Sequence, residues 1–250
     1  MPQTPAGILA EMRSVDSSSP RLVWHGQDGR IELSGRVFDN WVAKSSNLLV
    51  DELDATDASR VALDLPPHWK SLALAFACWQ VGALVLLPED AGAPAAGADI
   101  VLSSRAEPSV EPPGLLVCVA LGSLAMRWDG PLPRGAVDFA AEVRSHGDVY
   151  LGQTGDDDAT LVQAGGRTSG MEDLLGTVTL PTGTTPVGAG STSDERLTVL
   201  LEPGASLGRA LAAALAVWTQ GGVLVLVEEG VPVTDRLLAG ERVTDRLGTA

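Results

Sequence analysis

Ala77-Cys-Trp-Gln-Val-Gly-Ala-Leu-Val-Leu-Leu-Pro-Glu-Asp90 is one of two stretches whose reading decides the fold. The other is Ala216-Val-Trp-Thr-Gln-Gly-Gly-Val-Leu-Val-Leu-Val-Glu-Glu-Gly230. With the apolar residues before them, 72–87 and 210–227 resemble membrane spans. Each falls short of, or barely reaches, the ~20 apolar residues a spanning helix needs, and Gln and Gly break each near its middle. The alternative reading is a helix, a glycine just past its end, a short aliphatic strand and an acidic exit. A strand apolar at every position is covered on both faces, as in a parallel sheet flanked by helices. Two copies of this unit imply two βαβ-type layers. The expected fold class is therefore α/β, with mostly parallel sheets flanked by helices.

Outward from these stretches the rest of the chain falls into place. Thr4-Pro5 caps and starts a helix to about Arg13. Leu22-Val-Trp24 and Arg30-Ile-Glu-Leu33 flank the turn Gly26-Gln-Asp-Gly29 as a hairpin. Ser34 caps a helix with Val37, Trp41, Ser45, Leu48 and Leu49 on one face. Strands are expected at 61–65, 100–102, 115–119, 159–163 and 197–201, with a Gly/Ala/Pro-rich loop at 91–98. Asp138 caps a helix to Arg144, residues 169–178 form another, and Ser206 caps the second Ala-rich helix. The repeated Val-Thr-Asp-Arg-Leu at 233–237 and 243–247 reads as an amphipathic helix followed by a frayed end.

Composition bounds the function. The chain has 250 residues and 45% hydrophobic content, enough for a core. Its 17 basic against 32 acidic residues give a net charge of −15, which argues against nucleic-acid and anionic-membrane partners. Cys78 and Cys118 lie in apolar runs and read as buried reduced thiols. The N-terminus lacks a charged and then apolar leader, so a cytoplasmic protein with no membrane span is expected.

The order of elements resembles the N-terminal half of the adenylate-forming (AMP-binding) superfamily, which includes acyl-CoA synthetases, luciferases and the adenylation domains of peptide synthetases. Three consecutive blocks carry the likeness. Residues 31–49 follow the family's "T-Y-x-E-L…N-x-L-A". Ala58-Ser-Arg-Val-Ala-Leu-Asp-Leu-Pro-Pro67 follows "G-D-R-V-A-L-x-L-P-N", and Trp79-Gln-Val-Gly-Ala-Leu-Val-Leu-Leu-Pro88 follows "K-A-G-A-V-x-V-P-L". The second long stretch is similar to the later "L-L-A-G-A-T-V-V-L" block, and Glu241-Arg-Val-Thr244 to the "E-R-x-V-T" after it. The likeness covers most of the chain and is weakest at about 92–155. It points to a compact actinobacterial family with distant similarity to AMP-binding enzymes. It also implies one N-terminal region over 1–250, with sub-lobes at 1–150 and 151–250. The later adenine and ribose motifs and the catalytic lid domain would lie beyond this sequence.

In that family a loop like "Y-T-S-G-T-T-G-x-P-K-G" holds ATP phosphates through backbone N–H groups, hydroxyls and a lysine. Thr182-Gly-Thr-Thr-Pro186 looks like it but sits too late, about a dozen residues before the strand at Leu197, and Val187 follows where a lysine is wanted. It reads as a connector. After the strand at 159–163 comes Ala164-Gly-Gly-Arg-Thr-Ser-Gly170, a loop cut short. The remnant phosphate-loop candidates are Gly165, Gly166 and Arg167, with Thr168 and Ser169 as a helix cap; the alternative is a tight strand-to-helix turn with Arg167 in solvent. Ala205 stands near the family's aromatic or His position. The chain holds two lysines, Lys44 and Lys70, and neither is placed to replace the family's catalytic ones.

Other constellations point to no chemistry. His25, His68 and His146 are too scattered for a metal motif and read as surface or strand-end residues, His68 being the one placed to line a cleft. Asp156-Asp-Asp158 reads as a solvated turn, and Trp24, Trp41, Trp79, Trp128 and Trp218 as core. The resemblance thus implies a non-catalytic relative acting by binding a partner protein, or an acyl or nucleotide ligand such as ATP or AMP, with no required cofactor and no metal. The alternatives are a half-enzyme of an acyl-adenylating ligase completed by another subunit, and an unrelated small hydrolase or transferase on the same architecture.

Overall fold

The computed structural model describes residues 4–88, 97–107, 114–123, 125–152, 155–156, 159–180 and 196–249. In chain order its elements begin with α1 (Pro5–Ser14), β1 (Pro20–Gly26), β2 (Gly29–Ser34), α2 (Gly35–Asp51), β3 (Arg60–Asp64), α3 (Trp69–Val81) and β4 (Leu84–Leu87). Then come β5 (Ile100–Ser103), β6 (Leu115–Cys118), β7 (Val137–Asp138), α4 (Phe139–Glu142) with a 3₁₀ turn (Val143–Ser145), β8 (Val162–Ala164), β9 (Arg167–Ser169) and α5 (Met171–Gly176). The last are β10 (Thr198–Leu201), α6 (Leu207–Trp218), β11 (Val223–Val227), α7 (Asp235–Gly240) and β12 (Asp245–Leu247).

These residues form two compact units, one of 1–39, 67–72 and 172–250, the other of 40–66 and 73–171. Each is discontinuous in sequence, so no cut at a single position such as 150 separates them. The first unit holds a five-stranded sheet in the order β12-β10-β11-β1-β2. The second holds a seven-stranded sheet in the order β7-β6-β5-β3-β4-β8-β9. All pairings are parallel except the edge hairpins β1–β2 and β8–β9. Strands β5, β10 and β11 are buried at every position, as their unbroken aliphatic sequences require.

The two deciding stretches adopt the same local structure. Gly82 donates its N–H to the Trp79 carbonyl at 3.1 Å and Ala83 to Cys78 at 2.9 Å. Gly221 donates to Trp218 and Gly222 to Val217, both at 3.0 Å. This pair of bonds is the Schellman motif; it needs a left-handed residue, which glycine supplies at φ 90° (Gly82) and 68° (Gly221). The tryptophans at equivalent helix positions also do equivalent things. Trp79 Nε1 donates to the Leu161 carbonyl and Trp218 Nε1 to the Arg21 carbonyl, each at 2.8 Å. Each indole thereby ties its helix to the strand region beside the strand that the helix feeds.

The likeness extends to topology. In the second unit β3-α3-β4 is followed across the sheet by the hairpin β8–β9, with β5 on the other side of β3. In the first unit β10-α6-β11 is followed by the hairpin β1–β2, with β12 on the other side of β10. Replacing Trp218 by Phe keeps most of the apolar contact and removes only the donor, so a loss of about 1–2 kcal/mol is expected in urea unfolding. An unchanged midpoint would mean that the indole bond adds nothing.

Most expected elements are present at their expected places. Thr4, Asp138 and Ser206 are N-caps with side-chain bonds to backbone N–H groups. Four expectations change. On α2, Ser45, Leu48 and Leu49 are buried as expected, but Val37 is 41% exposed while Phe38 and Val42 are buried, the Phe38 ring packing on Trp218 at 4.8 Å. The strand expected at 159–163 is confined to β8. The helix expected at 169–178 is the shorter α5, because Arg167–Ser169 pair antiparallel with β8. The second Val-Thr-Asp-Arg-Leu copy is not frayed: its last three residues are β12, paired parallel with β10.

Candidate functional site

Open α/β sheets bind ligands outside the carboxyl ends of their strands, where the strand order reverses. In the seven-stranded sheet that point lies between β3 and β5, since the chain passes from β3 to β4 on one side and returns to β5 on the other. Asp64 and Ser103 end these strands and are register partners. Asp64 is 6% exposed. Its carboxylate accepts from Ser103 Oγ at 2.8 Å and from Arg105 Nη2 at 2.5 Å. The Arg105 N–H in turn donates to Ser103 Oγ at 3.1 Å. In the five-stranded sheet the reversal lies between β10 and β12, and there Arg246 Nε donates to Glu202 at 2.5 Å. Each crevice therefore carries an arginine already held by a carboxylate of the chain itself.

The remnant-loop candidates lie at the carboxyl end of β8, which runs parallel to β4. Gly165 and Gly166 are the two central residues of the β8–β9 hairpin, at φ 59° and 71°. Positive φ at both positions is what a type I′ turn requires, and glycine meets it without strain. Thr168 and Ser169 are not a helix cap: with Arg167 they form β9, in which Arg167, Thr168 and Ser169 are register-paired with Ala164, Gln163 and Val162. Gly165 to Thr168 are exposed and Ser169 is half-buried. The other loop-like stretch, Thr182 to Pro186, lies outside the described residues, as do Asp157 and Asp158.

Of the histidines expected at the surface or at strand ends, His25 lies at the end of β1, while His68 and the His146 side chain are more buried than expected. His68 is 2% exposed and caps α3, its Nδ1 accepting the Lys70 N–H at 3.1 Å. That bond fixes the neutral tautomer with its proton on Nε2. The ring meets Trp24 edge-on at 4.6 Å and lies 5.6 Å from Trp69. Burial, then the nearby Lys70 charge, lowers its pKa to about 3. His25 is bonded through Nε2 to Glu241 at 2.8 Å, and Arg30 grips the same carboxylate through two nitrogens. Arg30 in particular holds the Glu241 carboxyl below the usual range. The His146 side chain is 8% exposed, with Nδ1 3.6 Å from Asp51.

Sequence reasoning missed Asp64, Arg105 and Glu241. An aspartate closing the apolar strand Val61-Ala-Leu-Asp64 was the available signal for the first; the others become visible only once distant strands are neighbours. Cys78 and Cys118 are buried free thiols, and burial pushes Cys78 up to about 12, so neither is a nucleophile near neutral pH. Among the described residues no group of three or more His, Cys, Asp or Glu could hold a metal ion, and no helix is long and apolar enough to cross a membrane.

Known structures share this architecture along nearly the whole chain. An acyl-CoA synthetase from Brucella canis superposes with a TM-score of 0.66 at 16% identity, covering 98% of this chain and 47% of its own. The N-terminal domain of FACL13 from Mycobacterium tuberculosis gives 0.62 at 14% identity, covering 97% and 62%. The fold is that of the N-terminal region of adenylate-forming enzymes. Coronafacic acid ligase from Pectobacterium brasiliense gives 0.68 at 12% identity, covering 98% of this chain and 50% of the ligase. The resemblance to adenylate-forming enzymes read from the sequence is thus borne out in the fold. In sequence, a Mycobacterium tuberculosis (strain ATCC 25618 / H37Rv) protein named TIGR03089 family protein is 38% identical over 160 residues, 60% of this chain and 63% of the relative. That relative supports the expected actinobacterial family. No protein-family model matches the chain. The chain spans about half to two thirds of the length of the proteins it matches.

Proposed function

We propose that this chain is a non-catalytic, cytoplasmic relative of AMP-dependent acyl ligases that acts by binding, with a partner protein, or an acyl or nucleotide ligand, as its target. The observation that carries this reading is the β8–β9 hairpin. Where the resemblance expects a long phosphate-holding loop with a lysine, two glycines join the strands. Phosphoryl transfer depends almost wholly on positioning and charge stabilisation, so losing that grip removes most of the rate enhancement. The lysines do not compensate. Lys44 is bonded to Asp148 at 2.6 Å and to the His146 carbonyl at 2.5 Å, and Lys70 is 4% exposed beside the Trp69 ring. The arginines at both reversal points are held by carboxylates, which further supports the reading.

The test is ATP–pyrophosphate exchange by the purified chain with magnesium and a panel of aliphatic and aromatic carboxylic acids. Exchange no faster than the protein-free blank is expected. Turnover by the chain alone would overturn the proposal, and turnover only after mixing with a second protein would replace it with the half-enzyme reading.

A further inference from the structure

The loop between α1 and β1 reads Val15-Asp-Ser-Ser-Ser19. Four arginines of the first unit surround it: Arg13 in the last turn of α1, Arg21 in β1, Arg36 in the first turn of α2 and Arg196 just before β10. In a chain with 17 basic residues and a net charge of −15, four guanidiniums about one short loop run against the prevailing sign. Three of them have partners that suit them. Arg13 Nη1 donates to Asp39 at 2.6 Å and Arg196 Nη2 to Asp16. Arg21, 4% exposed, donates to the carbonyls of Gly221 at 2.8 Å and Val15 at 3.4 Å. Arg36 differs. It is exposed, and among the described residues its guanidinium meets no carboxylate; Nη2 donates to Ser17 Oγ at 3.2 Å. A neutral hydroxyl is a weak match for a planar cationic fork, which fits the oxygens of a phosphate far better.

The backbone keeps the two residues together. Arg36 N–H donates to the Ser17 carbonyl at 2.9 Å, and Gly35 N–H to the Ser19 carbonyl at 3.1 Å. Asp16 is occupied by Arg196 and by the Ser19 hydroxyl, so its carboxylate is engaged away from Arg36. Ser18 is the exposed member of the serine run, while Ser17 and Ser19 are half-buried. Among the described residues no arginine donates to the Ser18 hydroxyl. The run lies in a surface turn, where local opening costs far less than unfolding the sheet behind it.

We propose that Ser17 is a phosphorylation site and that Arg36 holds the phosphate once it is attached. A protein-serine kinase supplies the group from ATP. The Ser17 Oγ–phosphorus bond forms as the bond from the γ-phosphorus to the β–γ bridging oxygen breaks. The hydroxyl proton passes to the base of the kinase, and ADP leaves. The new group carries a charge of about −2 and three acceptor oxygens, one bond beyond the oxygen that Arg36 already touches. A neutral hydrogen bond thereby becomes a two-pronged, charge-assisted one, which fastens the α1–β1 loop to the start of α2. The inference goes beyond the binding role proposed above and does not depend on it.

Two measurements test it. First, the full chain is made with phosphoserine placed at position 17 by genetic encoding, and separately at position 18, and melted beside the unmodified chain. Phosphoserine at 17 is expected to raise the melting temperature by about 2–4 °C. At 18 it should give no rise, because no arginine meets it and the chain is already strongly negative. In the Arg36→Gln background, compared with and without phosphate so that the effect of the substitution itself cancels, the rise from position 17 should vanish. Second, the chain is purified from growing and from stationary cells of an actinobacterial host, and its tryptic peptide 14–21 is sequenced by mass spectrometry. Phosphate is expected on Ser17 in preference to Ser18 and Ser19. An unmodified peptide in both cultures, phosphate confined to Ser18 or Ser19, or a stability gain that survives Arg36→Gln would each overturn the proposal.

Discussion

Replacing His68 by Asn is expected to remove a stability loss of up to about 5 kcal/mol on acidification from pH 6.5 to about 3. The sign follows from which state binds the proton. In the unfolded chain His68 takes its proton near the ordinary value of 6.5, whereas the folded ring resists until about pH 3. Between those values the unfolded state holds one proton more, so the contribution of the neutral ring is complete above 6.5 and lost as pH falls through the window. The causes are physical: the ring is 2% exposed against Trp24 and Trp69, with the Lys70 charge beside it and only Asp28 favouring protonation. Asparagine is chosen because it caps helices well and does not titrate. Carboxylates titrate in both proteins, so the informative quantity is the difference between the two stability curves, from urea unfolding at a series of pH values. A constant difference across the window would show that the folded ring takes up its proton as freely as the unfolded one.

Truncating either of two buried phenylalanines should be the most damaging single change in its own unit. Phe38 and Phe76 are both 0% exposed, and each packs on the tryptophan that ends a Schellman-capped helix, at 4.8 Å from Trp218 and 4.9 Å from Trp79. Phe to Ala at such a site loses the transfer free energy of the ring and leaves a cavity, about 3–5 kcal/mol together. Hydrogen exchange reads where the damage falls. Phe38→Ala is expected to speed exchange in β1, β10 and β11, and Phe76→Ala in β3, β4 and β8. The reverse pattern, or a loss under 1 kcal/mol, would contradict the packing described.

The legible part of the fold was the part governed by local chemistry. Gly82 and Gly221 announced helix ends because few residues other than glycine take that backbone conformation cheaply. The aliphatic runs 84–87 and 223–227 announced buried parallel strands because polar residues are absent from both faces. Thr4, Asp138 and Ser206 were readable as caps for the same reason. What stayed hidden depends on partners distant in sequence. Residues 245–247 look like a frayed end after an amphipathic helix until β10 supplies an edge for them. Thr168 and Ser169 look like a helix cap until β8 pairs with them. His68 was placed by its neighbours Pro66 and Pro67, but its burial comes from Trp24, far upstream. The candidate site was legible only in its shortening; that two glycines formed a strand-to-strand turn required the positive φ values to be seen.

That two-glycine turn bears on how such a scaffold changes over time. It protrudes from the outermost strand of its sheet, flanked by exposed Ala164 and Arg167, so lengthening or trimming it disturbs no packed side chain. Closure entropy grows only logarithmically, and going from two to about eleven linking residues adds about 1.5 kcal/mol. Segments can therefore enter or leave at this tip at a cost to folding that a domain of ordinary stability can absorb. Selection for a folded chain does nothing to retain a nucleotide grip there, and the architecture can outlast the chemistry by a long margin.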